Sequence, residues 1–491
     1  MKTHRIAALF VSLLLAGPCV AHVGSPDVYF QGDAGAYHLI VTVRTPKMVP
    51  GVAEIDIRSS APGVRQIKIV PLYIVGPASK FPPPPDVLLP SKVDPQFFSG
   101  KLWLMASGSW QVRIEADGDK GAGTLAVPVP AAARSTLPME KNLGAILAGL
   151  LLLLVAAIVS IVGAARREGE LESGVPAGRR EKRGARIVMA ITTLIVGVML
   201  ALGGWWWKAA AANRADLMIY KPPQLFVSLI PGDRMLLRID ESPWHIRRAG
   251  TMGIGLIPDH GHLMHLFLIR VPQMDRFYHL HPAEDKGGVF LDELPPIAAG
   301  QYQIFGDIVR ETGFPDTLTA KMDIPETTGR PLAGDDSEAV APPLAEGSTD
   351  NMAADLSGGA RMIWERDSGP LRSNQLLMFR FRVEDANGKP ATDLEPYMGM
   401  AGHAEFVRSD LSVFAHVHPD GSAPMAAVQL ADASFPGKTA DVSAMTGMVM
   451  GPISYEVVFP YGFPKPGLYR IFVQVKRGGH VETGVFDAHV N

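Results

Sequence analysis

Cysteine is almost absent from this sequence. The chain of 491 residues contains one, Cys19, and it falls within residues 1–21, which have the layout of a secretory signal peptide. Lys2 and Arg5 precede an apolar run, and the small residue Ala21 suits a cleavage point. Removal of this segment would exclude disulfides and thiolate ligands. A metal site in the remaining chain must then use His, Met, carboxylate or backbone ligands.

The chain also lacks a strong excess of charge. Its 46 Lys and Arg nearly balance its 49 Asp and Glu, for a net charge of -3. Nucleic-acid binding usually requires a basic patch or stripe. We therefore expect no nucleic-acid partner.

Common catalytic motifs are missing as well. The sequence contains no Gly-x-Ser-x-Gly elbow, no phosphate-binding glycine loop and no His-Glu-x-x-His helix. We predict that the protein is not an enzyme, although a copper-dependent oxidase remains open. Glu405 and Asp307 are the acids that could serve as bases, but the alternative interpretation is that both are solvated strand residues.

Two uncharged runs interrupt the polar sequence. Residues 143–165 and 187–207 are each long enough to cross a hydrocarbon layer of roughly 30 Å as a helix. Seven Lys and Arg residues lie in the intervening loop, 166–186, which the positive-inside rule assigns to the cytoplasm. We predict a two-pass protein of the plasma (inner) membrane, with N- and C-terminal parts on the extracytoplasmic, or periplasmic, side.

The rest of the sequence is typical of β-structure. Residues 22–138, 213–326 and 360–491 contain short alternating runs broken by Pro and Gly, whereas 327–359 is rich in Pro, Gly, Ala and acid, as in a flexible linker. The predicted fold class is mainly β. It comprises three extracytoplasmic β-sandwich (Ig-like) domains, with a two-helix transmembrane hairpin between the first and second.

The second and third β segments are similar to each other. Three blocks recur in the same order, namely 265–270 with 403–408, 277–282 with 414–419, and 300–305 with 467–472. Ordered blocks at similar spacing indicate a tandem repeat.

Histidines dominate the repeated blocks. A His-x-His pair on a strand presents two imidazoles on one face, and a histidine one strand earlier can supply a third ligand. We predict metal ligation by one triad in each copy: His265, His279 and His281, then His403, His416 and His418. Weaker candidates are His260, His262, Met398, Met400, His480 and His22. Imidazole and thioether without thiolate favour copper over zinc, although such His and Met residues can also be ordinary surface or core residues.

The block His416-Val-His418-Pro419, preceded by Tyr397-Met-Gly-Met400 and His403, resembles exported bacterial domains found among copper and heavy-metal handling proteins. The start of the chain, Ala21-His22-Val-Gly, resembles small extracytoplasmic β-sandwich domains of the FixH and YtkA-like kind. These resemblances imply a β-sandwich and a link with metal homeostasis. They imply no reaction.

Together these features predict a membrane-anchored periplasmic protein that binds metal, with copper as the expected ion. It would hold or deliver copper in copper homeostasis or oxidase assembly, with a copper transporter or a terminal oxidase as partner. Tethering beside such a partner raises the effective concentration of the ion. The alternative is an interaction module that binds a protein or an envelope polymer without metal.

Overall fold

The computed structural model describes residues 25–345, 347, 350–366, 369–435 and 453–491. The described chain is mainly β, as predicted, with several sheets and two long apolar helices. It divides into two compact units, Met1–Ala132 with Lys221–Asn491, and Ala133–Tyr220. The proposed signal segment and His22 lie outside the described residues.

The first β region spans residues 28–131 and forms two four-stranded sheets, with strand orders β1-β2-β3-β6 and β5-β4-β7-β8. Apolar and polar residues alternate along β3, and the strand places them on opposite faces of its sheet: Ala53, Ile55 and Ile57 are buried, whereas Glu54 is exposed. A short 3-10 helix, Pro77–Lys80, follows β4. The strands are β1 (Val28–Ala34), β2 (Tyr37–Arg44), β3 (Gly51–Ser59), β4 (Val64–Tyr73), β5 (Asp86–Leu88), β6 (Phe97–Leu104), β7 (Gly108–Gly118) and β8 (Gly121–Ala131).

The second unit contains two helices, α1 (Lys141–Glu168) and α2 (Arg179–Met218). Both are long and apolar enough to cross a membrane. Each extends beyond the predicted uncharged run, because the flanking Arg and Lys residues also favour helix. The helices contact each other, and Gly163 of α1 lies against Met189 of α2.

The second β region covers residues 224–340 and includes two short helices, α3 (Pro243–Ile246) and α4 (Ala249–Met252). One sheet has the order β14-β15-β10-β9; the other has the order β11-β16-β12-β13-β18, with β17 paired to β16. The strands are β9 (Gln224–Ile230), β10 (Arg234–Asp240), β11 (Leu256–Ile257), β12 (His265–Val271), β13 (Arg276–Leu280), β14 (Ala283–Lys286), β15 (Val289–Glu293), β16 (Gly300–Arg310), β17 (Pro315–Ile324) and β18 (Ser337–Val340).

The third β region covers residues 353–490 and repeats this arrangement. Its sheets have the orders β19-β20-β21-β25 and β22-β26-β23-β24, with β27 paired to β26. A 3-10 helix, Ser357–Gly359, and a helix, α5 (Met425–Ala433), complete it. The strands are β19 (Ala353–Asp355), β20 (Arg361–Glu365), β21 (Leu377–Glu384), β22 (Leu394–Glu395), β23 (His403–Arg408), β24 (Phe414–Val417), β25 (Glu456–Tyr461), β26 (Gly467–Arg477) and β27 (His480–Val490).

The segment predicted as a flexible linker, 327–359, differs from that prediction. Ser337–Val340 forms strand β18, which pairs with the edge of β13. Composition suggested a solvated linker, but a free strand edge offers unpaired backbone groups that a passing segment can satisfy. The described part of this segment is therefore partly built into a sheet.

Strands β12 and β23 are buried on both faces. Leu266 and Leu268 point into the core of the second β region, whereas Phe267 and Ile269 belong to another apolar cluster shared with the third region. In the third region Ala404 and Phe406 point into its own core, while Val407 joins the shared cluster. The outer faces of the two repeated sheets therefore pack against each other.

Two phenylalanine stacks show that this interface has approximate two-fold symmetry. Phe277 stacks on Phe472 with ring centroids 4.1 Å apart, and Phe305 stacks on Phe414 at 4.3 Å. In the repeat alignment Phe277 corresponds to Phe414, and Phe305 to Phe472. Reciprocal pairs of this kind are the mark of an isologous interface, here formed within one chain.

Candidate metal centre

The histidines lie on the interface face of the repeated sheets. His265 is in β12, and β12 pairs with β13, which contains His279. His403 is in β23, which pairs with β24, the strand of His416. In each copy one histidine thus lies one strand before the His-x-His pair, as predicted. Side chains two residues apart share a strand face, so the histidines lie beside the interface phenylalanines.

A tight turn precedes β12 in the second β region, and an equivalent turn precedes β23 in the third. Backbone bridges join Asp259 to His262 in one copy and Tyr397 to Met400 in the other. His260 and Met398 occupy equivalent positions with φ angles of 52° and 49°, each followed by a glycine of positive φ. This fourth repeated block was missed in the sequence comparison. The signal available for it was a glycine four residues before each strand histidine, where a left-handed turn is needed.

His265, His279 and His281 form the first group. One ring nitrogen from each lies within 4.8 Å of the others. The first two are buried, and the side chain of His281 is only 3% exposed. The structure therefore brings together the triad predicted for the first copy.

Outer hydrogen bonds orient these three rings. Nδ1 of His281 donates to Asp336 at 2.9 Å, and Nδ1 of His279 donates to Oε1 of Gln474 at 2.9 Å. Nε2 of His265 donates to the carbonyl of Asp259 at 3.1 Å. Such bonds fix the tautomer and leave the other nitrogen free as a ligand. The remaining nitrogens, Nδ1 of His265 and Nε2 of His279, then face each other at 3.1 Å. At this distance their two lone pairs repel unless a cation or a proton lies between them.

The second group combines the two copies. His260, His403 and His418 are buried, and each offers a ring nitrogen within 4.8 Å of the others. Nδ1 of His260 donates to the carbonyl of Met398 at 2.9 Å, and Nδ1 of His418 donates to that of Ala423 at 3.3 Å. Their Nε2 atoms face each other at 3.3 Å. This repeats the lone-pair opposition of the first group.

Within the described part of the chain, the ring of His403 lacks hydrogen-bond partners altogether, unlike those of His260 and His418. Both of its ring nitrogens are buried without a hydrogen-bond partner among the described residues. An unpaired buried polar group costs about 1–3 kcal/mol. A ligand between His260, His403 and His418 would remove that cost.

The second grouping differs from the prediction in one residue. We expected His416 to complete the triad of the third β region, but His260 of the second region takes that place. The ring of His416 still lies 4.6 Å from that of His418 and 5.3 Å from that of His403, but it lies equally near, at 5.3 Å, to that of His265 in the first group. His260 contacts the histidines of the other copy because its turn, just before β12, lies at the interface. The spacing of residues along the sequence cannot predict such contacts between distant segments.

Burial controls the protonation of the rings. It lowers the pKa well below the ordinary histidine value for His265, His279, His281, His403 and His418. Neighbouring imidazoles lower these pKa values further because each disfavours a second positive charge. The rings are thus held in the neutral form that binds metal ions.

An acidic rim adjoins the first group. The ring of His262 lies 4.0 Å from that of His281, and its Nε2 lies 3.6 Å from Asp335. Hydrogen bonding to His262 and Lys476 lowers the pKa of Asp335, whereas burial raises that of Asp336 to about 6. His262 and both acids are partly exposed, so this rim connects the group with solvent.

The remaining candidates are dispersed. Met398 and Met400 are buried in the turn described above. His480 is exposed at the start of β27. Three further methionines that follow in the third β segment, and whose thioethers would also suit copper, lie outside the described residues: Met445, Met448 and Met450.

The interpretation of Glu405 as a solvated strand residue is wrong. Its side chain is fully buried, and neither carboxylate oxygen has a partner among the described residues. Burial, and then the proximity of Asp307, raise the pKa of Glu405 well above the ordinary value. Asp307 is partly buried, with Oδ2 3.6 Å from Nδ1 of His416. Alternation alone could not detect this burial, because the outward face of β23 is covered by the other copy.

Residues 356–491 match a family described as a domain of unknown function, DUF8832, and no curated protein matches the sequence. Similar solved structures include a tetra-tandem repeat from the extending region of a large adhesion protein, with 6% identity, 90% of this chain and 71% of that chain covered, and a TM-score of 0.16.

Two further structures are similar at the same level. A 1.5-MDa bacterial ice-binding adhesin has 6% identity, with 90% of this chain and 91% of that chain covered and a TM-score of 0.15. The native conformation of Escherichia coli (E. coli) alpha-2-macroglobulin has 11% identity, with 93% and 23% covered and a TM-score of 0.20. Scores this low carry no argument about fold or function.

Proposed function

We propose that this protein is a membrane-anchored, extracytoplasmic metal-binding protein that holds copper between its two repeated β regions. It serves copper homeostasis or the assembly of a copper-dependent oxidase. The proposal rests on the histidine groups rather than on any relative.

One observation carries this proposal. In both groups, two imidazole nitrogens whose rings already donate outward face each other at 3.1 or 3.3 Å. Neutral rings in this arrangement have opposed lone pairs, and burial disfavours the extra proton that would relieve them. A cation bound by both nitrogens resolves the conflict, so metal ligation accounts for the geometry better than a satisfied histidine core does.

Donor chemistry supports copper over zinc. The described groups supply imidazole alone, with the buried thioethers of Met398 and Met400 in the adjoining turn. Imidazole accepts Cu(II), thioether favours Cu(I), and affinity for nitrogen ligands is greatest for copper among the common divalent metals.

The burial of the histidines indicates that the protein retains its ion and does not exchange it rapidly with solvent. His279 and His403 are both fully buried, and the ring of His279 stacks on that of Phe267 at 4.3 Å. Release to a copper transporter or terminal oxidase would then pass through the partly exposed rim at His262, Asp335 and Asp336.

The architecture that goes with this function is three β-sandwich domains on the outer side of the membrane. Helices α1 and α2 would form a transmembrane hairpin, since only residues 169–178 separate them. The positive-inside rule assigns this connection, with the Arg and Lys residues around it, to the cytoplasmic side of the membrane. Both β portions then lie on the extracytoplasmic side.

The test is copper titration of the full-length protein in detergent micelles, with metal analysis after desalting. We expect about two copper equivalents per chain. The double variants His279→Ala/His281→Ala and His403→Ala/His418→Ala should each lose about one equivalent. The matched control His480→Ala/His489→Ala alters exposed histidines and should lose none. Binding weaker than millimolar in the unmodified protein would refute the proposal.

The alternative is an interaction module without metal. A cleft of about 350 Å³ in the first β region favours it, since Phe81, Trp103 and several prolines line this cleft and aromatic residues suit peptide or polymer recognition. The titration separates the two functions, because the module predicts no stoichiometric copper binding.

A further inference from the structure

The two histidine groups are neighbours. The ring of His265, from the first group, lies 6.1 Å from that of His260, from the second. His416 belongs to neither group, yet its ring lies 4.6 Å from that of His418 and 5.3 Å from that of His265. It therefore stands between them.

His416 has a nitrogen available for ligation. Its side chain is 5% exposed, and Nε2 is buried without a partner among the described residues. Nδ1 faces Oδ2 of Asp307 at 3.6 Å. A histidine with a carboxylate near one ring nitrogen and with the other nitrogen free is a common arrangement for a metal ligand.

Two acids flank His416, one from each repeated region. Glu405 lies directly opposite His416 in the β23–β24 pairing, and Asp307 lies opposite His265 in the β12–β16 pairing. Both Glu405 oxygens and Oδ1 of Asp307 are buried without hydrogen-bond partners among the described residues. No Lys or Arg forms an ion pair with either acid there.

The charges of the acids and of bound ions are complementary. Six neutral imidazoles cannot balance two copper ions, and uncompensated charge in a dry interior is costly. Two carboxylates beside the rings can supply the missing negative charge. The ions would in turn provide the partners that Glu405 and Asp307 lack.

We propose that the two histidine groups form a single two-metal centre, with His416 as an additional ligand between the ions and with Asp307 and Glu405 compensating their charge. This inference rests on the proposed copper-binding function and goes beyond it by joining the two sites.

Magnetic coupling between the ions tests the inference. The full-length protein in detergent micelles is loaded with one and then two equivalents of Cu(II), and electron paramagnetic resonance spectra are recorded. We expect the two-equivalent spectrum to show dipolar broadening and a half-field signal. Two additive spectra of isolated ions would overturn the two-metal centre while leaving the copper-binding proposal intact. Absence of binding would instead refute the copper-binding proposal.

Variants test the bridging residues. His416→Leu should weaken both equivalents by about tenfold or more and reduce the nitrogen hyperfine structure of the Cu(II) spectrum, whereas His480→Leu should change neither. Glu405→Gln and Asp307→Asn keep side-chain size and should weaken chiefly the second equivalent, by about tenfold. The near-UV circular dichroism of each metal-free variant establishes that it is folded. If folded Glu405→Gln and Asp307→Asn proteins both titrate like the unmodified chain, charge compensation is excluded.

Discussion

The side-chain amide of Gln474 accepts a hydrogen bond from Nδ1 of His279 across the interface of the two repeated β regions, at 2.9 Å. The same amide donates through Nε2 to Oγ of Ser337, which determines which end of it is the acceptor. Gln474 thereby directs Nε2 of His279 towards His265. One copy of the repeat thus orients a candidate ligand of the other.

Replacement of this amide should weaken the first histidine group. We expect Gln474→Leu to lower copper affinity by about 10- to 100-fold, because Nδ1 of His279 loses its nearer acceptor and keeps only the hydroxyl of Tyr397 at 3.3 Å. Competition with a chromophoric copper chelator measures the change. Gln301→Leu, at an exposed position of β16, is the control. Equal affinities for both variants would contradict an orienting role.

His260 should contribute to a site that contains the histidines of the other copy. Because its Nε2 faces that of His418, His260→Ala should reduce bound copper by about one equivalent, as His403→Ala does. His262→Ala changes the other histidine of the same turn, which belongs to neither group, and should retain both equivalents. Metal analysis after desalting distinguishes these outcomes. Full copper retention by His260→Ala would exclude the cross-copy group.

Arg470 should be a major contributor to the stability of the interface. It is 2% exposed and forms an ion pair with Asp487. It also donates hydrogen bonds to the backbone carbonyl of Met274, within the second β region, and to that of Pro342, just after it. Arg470→Met should reduce the free energy of unfolding by about 3–5 kcal/mol, since it leaves a largely buried carboxylate unpaired.

Urea denaturation followed by tryptophan fluorescence measures this loss in the full-length protein. Arg380→Met provides the comparison, because Arg380 pairs with Glu456 at the surface. Surface pairs contribute only about 0–1 kcal/mol. A similar loss for the two variants would show that Arg470 acts as an ordinary surface residue.

Asp292 should make stability depend on pH. Burial, and then the charge of Asp336, raise its pKa from 3.8 to about 7, and its Oδ2 has no partner among the described residues. Because the folded pKa exceeds the unfolded one, the associated stability is fully present below about pH 4. It is lost as the pH rises through 7.

Asp292→Asn removes this titration. We expect the variant to exceed the unmodified protein in stability by about 1–3 kcal/mol at pH 8, with no difference at pH 4. Urea denaturation at the two pH values measures the change, with the exposed Asp323→Asn as control. A constant difference at both pH values would contradict the assignment to Asp292.

Much of the fold was predictable because its causes are local. Alternation in β3 reports burial of one sheet face, and the uncharged runs 143–165 and 187–207 lie within the two long helices. The histidine spacing also predicted that His265 lies one strand before His279, and β12 pairs with β13 accordingly. Residues near in sequence determine each of these features.

Features that depend on distant partners were missed. The strand Ser337–Val340 arises from pairing with β13, although its composition is that of a linker. Glu405 is buried by the opposing copy rather than by its own sheet. His260 joins the histidines of the other copy because its left-handed turn, equivalent to that of Met398, lies at the interface.

The sequence by itself determined which ligands this protein can offer: imidazoles at His-x-His spacing, repeated in two copies, with thiolate limited to Cys19. Only the tertiary structure decided how those ligands combine. His260 and His418 are separated by 158 positions in the chain, and they meet because both sheets bury a second apolar face against each other. The free energy of burying that shared face depends on the whole interface, which no local pattern of residues reports.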